Sequence, residues 1–214
     1  MKPANSGYDN EYLHYDWEGV MTGDDDTEID LYGRMSIALE ILENCREFAA
    51  LIPEVRTNMV YAKPDAQTKE DVLAVEGRIT AIGGMPRAAG RLKFGASSHM
   101  ARLIIEIRKV DPTIRAGIDF ANNPNLAVWL ERYCREKGWT FSAINRGNEP
   151  PEIRETEGAS MPWKVAEAIR AAGGMVPKIA YETGAVGKEP VSVILGKDPI
   201  TIARELCDIA KMYS

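Results

Sequence analysis

From Leu31 to the C-terminus, apolar residues at helical spacing alternate with short apolar runs of strand length. Most switches between the two are marked by a proline, a glycine or a capping side chain. This interleaving constrains the fold more than any other feature, because it indicates an α/β domain with helices covering a sheet. Ala38, Ile41, Leu42, Cys45, Phe48, Ala49 and Ile52 predict one helix, stopped by Pro53. RTNMVYA (56–62) and VLAVEGRIT (72–80) read as strands, and a glycine-rich connection without regular structure is expected from Ala81 to Ser98. The next helix takes Ser97 or Ser98 as its cap. Met100, Leu103, Ile104 and Ile107 form its apolar stripe, with Arg102 paired to Glu106 across one turn. Further strands are expected at 114–120, 139–145, 178–182 and 190–195. Further helices start at Pro124, at a Ser160 cap with Pro162 in the first turn, and at Asp198-Pro199.

Residues 1–30 read differently. They are polar and acidic, with Asp24, Asp25 and Asp26 in a row and the aromatics Tyr8, Tyr12, Tyr15 and Trp17 nearby. A tail over 1–30 and one domain over 31–214 are therefore expected. Strand order and direction are not legible at this level.

Composition removes several function classes. A net charge of −6 disfavours nucleic-acid binding by phosphate neutralisation, though it leaves room for a local basic pocket. No apolar run approaches the ~20 residues that span a bilayer, and the N-terminus lacks the apolar core of a secretory signal. The expectation is a cytoplasmic protein without membrane or nucleic-acid partners. Cys45, Cys134 and Cys207 are scattered on helical stripes, which suits reduced core thiols. With His14 and His99 as the only histidines, a histidine-rich zinc site is excluded.

Three stretches could carry chemistry. In FGASSHMAR (94–102), Gly95, Ser97, Ser98 and His99 stand where a loop becomes a helix, with Arg102 one turn on. Free amides of a first helical turn attract phosphate, and serine hydroxyls add donors. An ordinary cap with a surface histidine is the competing reading. In AVEGRIT, Arg78 offers a planar charged fork suited to a diphosphate, although a lone arginine on a strand is most often surface decoration. In TGAVGKEPVSVILGKDP (183–199), Lys188 and Glu189 stand at a strand entrance, where charges are commonly only solvated.

Taken in order, EGRIT, FGASSHMAR followed by DP, EGASMPW and GKEP…LGKDP resemble the archaeal thiamine-phosphate synthase family, ThiN, over roughly residues 35–212. The resemblance implies a three-layer α/β/α fold similar to the class II aldolase family, also met in hydroxymethylpyrimidine phosphate kinases, with a mixed, largely antiparallel sheet. It implies a transferase that joins hydroxymethylpyrimidine diphosphate to hydroxyethylthiazole phosphate, giving thiamine phosphate and diphosphate. The family's functional arginine and histidine fall on Arg78 and His99. Mg2+ is expected with the diphosphate, and a homodimer is implied. Ser97, Ser98, Gly95 and Arg102 would hold one phosphate group, Lys188 and Glu189 would lie near the other, and Asn58 would read the pyrimidine edge. A helix N-terminus lowers the proton affinity of His99 whereas a diphosphate raises it, so its charge is left open. The alternative is a thiamine phosphate-sensing domain of a regulator. No helix-turn-helix precedes the domain, and the acidic tail has the wrong sign for a DNA-binding arm.

Overall fold

The computed structural model describes residues 27–156, 158–184 and 189–214. Its elements run α1 (Glu28–Glu43), β1 (Met59–Ala62), β2 (Val72–Val75), β3 (Ile79–Ile82), β4 (Met85–Ala88), β5 (Leu92–Phe94), α2 (Ser98–Arg108), β6 (Ala116–Ala121), α3 (Pro124–Lys137), β7 (Phe141–Ile144), α4 (Pro151–Glu155), α5 (Ser160–Ala171), β8 (Ile179–Glu182), β9 (Val191–Gly196) and α6 (Pro199–Tyr213). Seven strands form one sheet in the order β5-β2-β1-β6-β9-β8-β7, while β3 and β4 pair as a separate hairpin. Every neighbouring pair in the sheet is antiparallel except β7 with β8. The sheet is thus mixed and mostly antiparallel.

Alternation along the strands sends side chains to two cores. Met59, Tyr61, Leu73, Val75, Ile118 and Phe120 pack beneath Leu31 and Met35 of α1, Leu126 and Leu130 of α3, and Ile202 and Leu206 of α6. Val60, Ala62, Val72 and Ala74 face the other way, toward Met100, Ile104 and Ile107 of α2 and Met161 and Val165 of α5. Helices therefore cover both faces of the sheet. All three cysteines are free and buried, and burial pushes the Cys134 thiol up to about 12.

Several boundaries differ from expectation for identifiable reasons. Thr27 caps α1 by accepting from the Asp30 N–H, so residues 28–30 join the domain rather than the tail. That helix ends at Glu43 instead of running to Ile52. Cys45 is extended, and a 3-10 turn over Arg46–Leu51 buries Phe48 and Leu51, which mimics a continued helical stripe. VLAVEGRIT is two strands, broken where the Arg78 N–H reaches the Val75 carbonyl and Gly77 takes φ 71°. The glycine-rich connection is largely regular, since it holds most of the β3–β4 hairpin and the edge strand β5. Ser97 is the cap of α2, whereas Ala159 precedes α5 and Ser160 is its first helical residue. Arg102 does not pair with Glu106: its Nε donates to the Ser98 carbonyl at 3.1 Å, and Glu106 binds Lys109 at 2.6 Å.

Candidate active site

Between α2, α5 and the sheet lies a narrow cavity that holds about 60 Å3 of water-accessible space, within about 620 Å3 of empty space once its open mouth is counted. Leu103 and Ile107 of α2, Val165 and Ile169 of α5, and Val193 and Leu195 of β9 form its apolar walls. Gly117 lets α2 come close: a Cβ there would lie 3.2 Å from Ile104 Cδ1 and 3.5 Å from Met100 Cε. His99, Asp119, Lys164 and Glu182 supply the polar lining.

His99, the second residue of α2, keeps part of its surface in solvent at the cavity rim while its other side is covered by the cavity lining. Loss of hydration within the cavity and then the Lys164 ammonium push its imidazole down to about 4, with Arg102 and Arg78 adding to the effect and Glu182 opposing it. His99 is therefore neutral at pH 7 in this structure. Arg78 also lowers the proton affinity of Asp119, so its guanidinium is felt at both groups.

Arg78 follows Gly77 with its own φ at 72°, a conformation that costs a non-glycine residue on the order of 1 kcal/mol and recurs at functional positions. Its Nη1 donates to the Val55 carbonyl. The amides of Glu54 and Val55 in turn donate to the Glu189 carboxylate at 3.0 and 2.7 Å. Glu189 thus holds the backbone that holds Arg78. Asp119 projects from mid-β6, and its Oδ1 accepts the Asn58 N–H at 2.8 Å. Burial pushes its carboxyl up to about 7.

The structure sorts the sequence candidates. His99 lines the cavity; Arg78 and Glu189 stand outside its lining, yet the charge of Arg78 acts on His99 and Asp119 and that of Glu189 on Asp119. Asn58 lies beside them but is buried, and its amide bonds the Val75 carbonyl and N–H, both at 3.2 Å, fastening β1 to β2. Ser97 is buried, and its Oγ accepts the Met100 N–H at 3.4 Å, so it serves as a cap. Ser98 and Arg102 face a second, more open hollow with Lys69, Glu70 and Lys109. Gly95, at φ 74°, turns the chain from β5 into α2. Lys188 lies outside the described residues.

A charged network escaped the sequence reading. Lys164 binds Glu182 at 2.9 Å, Glu182 also binds Arg146, and Arg146 binds Glu149 at 2.8 Å. Ser160 Oγ donates to the same Glu149. Arg146, Glu149 and Lys164 are almost fully buried. The available signal was Lys164 within the stripe Met161, Lys164, Val165, Ala168, where a lysine breaks an otherwise apolar face. Positive groups outnumber negative ones around His99, while the network fixes where Lys164 points. Such an arrangement can stabilise developing negative charge on a bound anion.

Known proteins give this geometry a context. Residues 34–208 match the family described as thiamine-phosphate synthase ThiN. The chain is 38% identical to the thiamine-phosphate synthase ThiN of Methanothermobacter thermautotrophicus, over 82% of this chain and 90% of that one. It is 34% identical to the bifunctional thiamine biosynthesis protein ThiDN of Methanocaldococcus jannaschii, over 77% of this chain and 37% of that longer protein. Among solved structures, the C-terminal domain of a phosphomethylpyrimidine kinase superposes with a TM-score of 0.79 at 33% identity, covering 88% of this chain and all of that domain. With a matched segment spanning nearly all of the described fold, the chain belongs to the ThiN family of thiamine-phosphate synthases.

Proposed function

We propose that the chain joins hydroxymethylpyrimidine diphosphate to hydroxyethylthiazole phosphate, releasing thiamine phosphate and diphosphate. The observation that supports this reading is that His99 lines an apolar-walled cavity while the Arg78 charge acts on both His99 and Asp119 of that lining. When the methylene C–O bond breaks, negative charge gathers on diphosphate and positive charge on the pyrimidine carbon. Arg78, pre-oriented by Val55, and Lys164, held by Glu182, neutralise the leaving group. Neutral His99 donates one N–H to a leaving oxygen, and the anion raises its proton affinity as it binds. The aliphatic walls keep water from the carbocation-like centre, and the thiazole nitrogen attacks it instead.

Magnesium fits this site in one mode. No group of three His, Cys, Asp or Glu side chains suited to a metal occurs among the described residues. Magnesium is commonly held by one or two carboxylates plus substrate phosphates, and Glu189, whose two oxygens already accept the Glu54 and Val55 N–H groups, would meet the ion only with its remaining lone pairs. Bound there, the ion would supply charge neutralisation to the diphosphate. The proposal extends to a class II aldolase-like kinship for the layered fold, supported by helices on both faces of a mostly antiparallel sheet. It also extends to the homodimer, which sedimentation reads directly. Purified protein given both phosphorylated halves and Mg2+ should release thiamine phosphate, and absence of product would overturn the reading.

A further inference from the structure

The chemistry above leaves Asp119 unused. In register it lies beside Val193 of β9, which in turn pairs with Ala180 of β8, so its row across the cavity floor is otherwise apolar and small. With Oδ1 engaged by the Asn58 N–H, Oδ2 is the oxygen left for a ligand. Glu182, the other carboxylate of the lining, is occupied by Arg146 and Lys164. Asp119 forms no ion pair among the described residues. A flat ring bearing an amine suits this setting: aliphatic walls cover its faces, and one carboxylate oxygen meets an N–H at its edge.

We propose that Asp119 accepts a hydrogen bond from the exocyclic amine of the pyrimidine ring and thereby selects aminopyrimidines over oxopyrimidines, an assignment that rests on the synthase reading. The bond also assists catalysis. As the methylene C–O bond breaks, its electron pair leaves with diphosphate, and the amine lone pair delocalises through the ring toward the methylene carbon. The amine N–H becomes a stronger donor, so the contact tightens in the transition state. No proton passes to Asp119, and the thiazole nitrogen lone pair then forms the new C–N bond.

Specificity tests this more sharply than activity does, because a structural aspartate would not alter substrate ratios. Assayed at pH 8 or above, where the raised Asp119 carboxyl is ionised and can only accept, wild type is expected to prefer the 4-amino over the 4-oxo pyrimidine diphosphate by at least about 100-fold in kcat/KM. In Asp119→Asn the side-chain amide can turn an N–H toward an oxo group, so the ratio should fall below about 10-fold. An unchanged ratio overturns the proposal. Calorimetry of the free 4-amino pyrimidine alcohol on wild type and Asp119→Asn gives a reading that needs no turnover. Binding about 10-fold weaker in the variant supports the assignment, and equal affinity overturns it. Near-UV circular dichroism confirms that the variant is folded. If wild type makes no thiamine phosphate yet binds the pyrimidine in an Asp119-dependent way, the synthase reading fails while the role of Asp119 stands.

Discussion

The two faces of the sheet come from the same strands and end differently. Beneath α1, α3 and α6 the inward residues are large, including Met59, Leu73, Ile118 and Phe120, and the face closes into a continuous apolar core. Beneath α2 and α5 the alternate residues are smaller, among them Ala62, Ala74 and Gly117, and only two helices cover them. The missing volume is the cavity, and charged groups gather along it. The closed face maintains the fold, while the open face gives up packing for a site.

That contrast can be broken most forcefully on the closed side. Phe120→Ala should lose about 3–5 kcal/mol in urea unfolding, because it opens a void under α3 and α6. A loss under ~1 kcal/mol would mean the face is less tightly packed than described. On the open side, Glu182→Gln should lose about 3 kcal/mol by leaving Lys164 and Arg146 short of a counter-charge, and a stability equal to wild type would remove the network from the account. Arg78→Ala and His99→Ala should each reduce turnover by about 2–4 kcal/mol while unfolding within ~0.5 kcal/mol of wild type, both residues being exposed. Wild-type turnover in either would take that residue out of the chemistry.

Smaller effects sharpen the picture. The Asp119 carboxyl is raised to about 7, so the native state holds its proton more tightly than the unfolded chain does. The stability it contributes is complete below the ordinary carboxylate range and is lost as pH rises through 7. Asp119→Asn should therefore gain on wild type between pH 5 and pH 8 in denaturant midpoints; a constant difference would contradict the raised affinity. Ser98→Ala should change the Michaelis constants least, by about 1 kcal/mol or below, because Ser98 faces the second hollow.

Much of this contrast was legible in the residues. Helix starts at Pro124 and Asp198-Pro199 announced themselves through proline and a capping side chain, and Asn123 and Asp198 do cap those helices. Elsewhere the local signal was ambiguous. A run such as VLAVEGRIT is apolar enough to pass for one strand, and only the left-handed backbone at Gly77 and Arg78 divides it. The stretch 81–98 looked irregular because glycines 83 and 84 make a tight hairpin turn there. His99 and Arg78 were singled out as candidates through motif and charge, whereas Asp119 was hidden inside the apolar run IRAGIDF. Its place in the lining depends on which face of β6 it takes and on a cavity formed by residues distant in sequence. Periodicity cannot report either property.

The most direct test of the central claim is a double-mutant cycle on diphosphate binding. Hydroxymethylpyrimidine diphosphate would be titrated calorimetrically into wild type, Arg78→Ala, His99→Ala and the double variant. Groups gripping one anion should show a coupling energy of at least about 0.5 kcal/mol. Strictly additive losses would place Arg78 and His99 at separate sites and contradict the account.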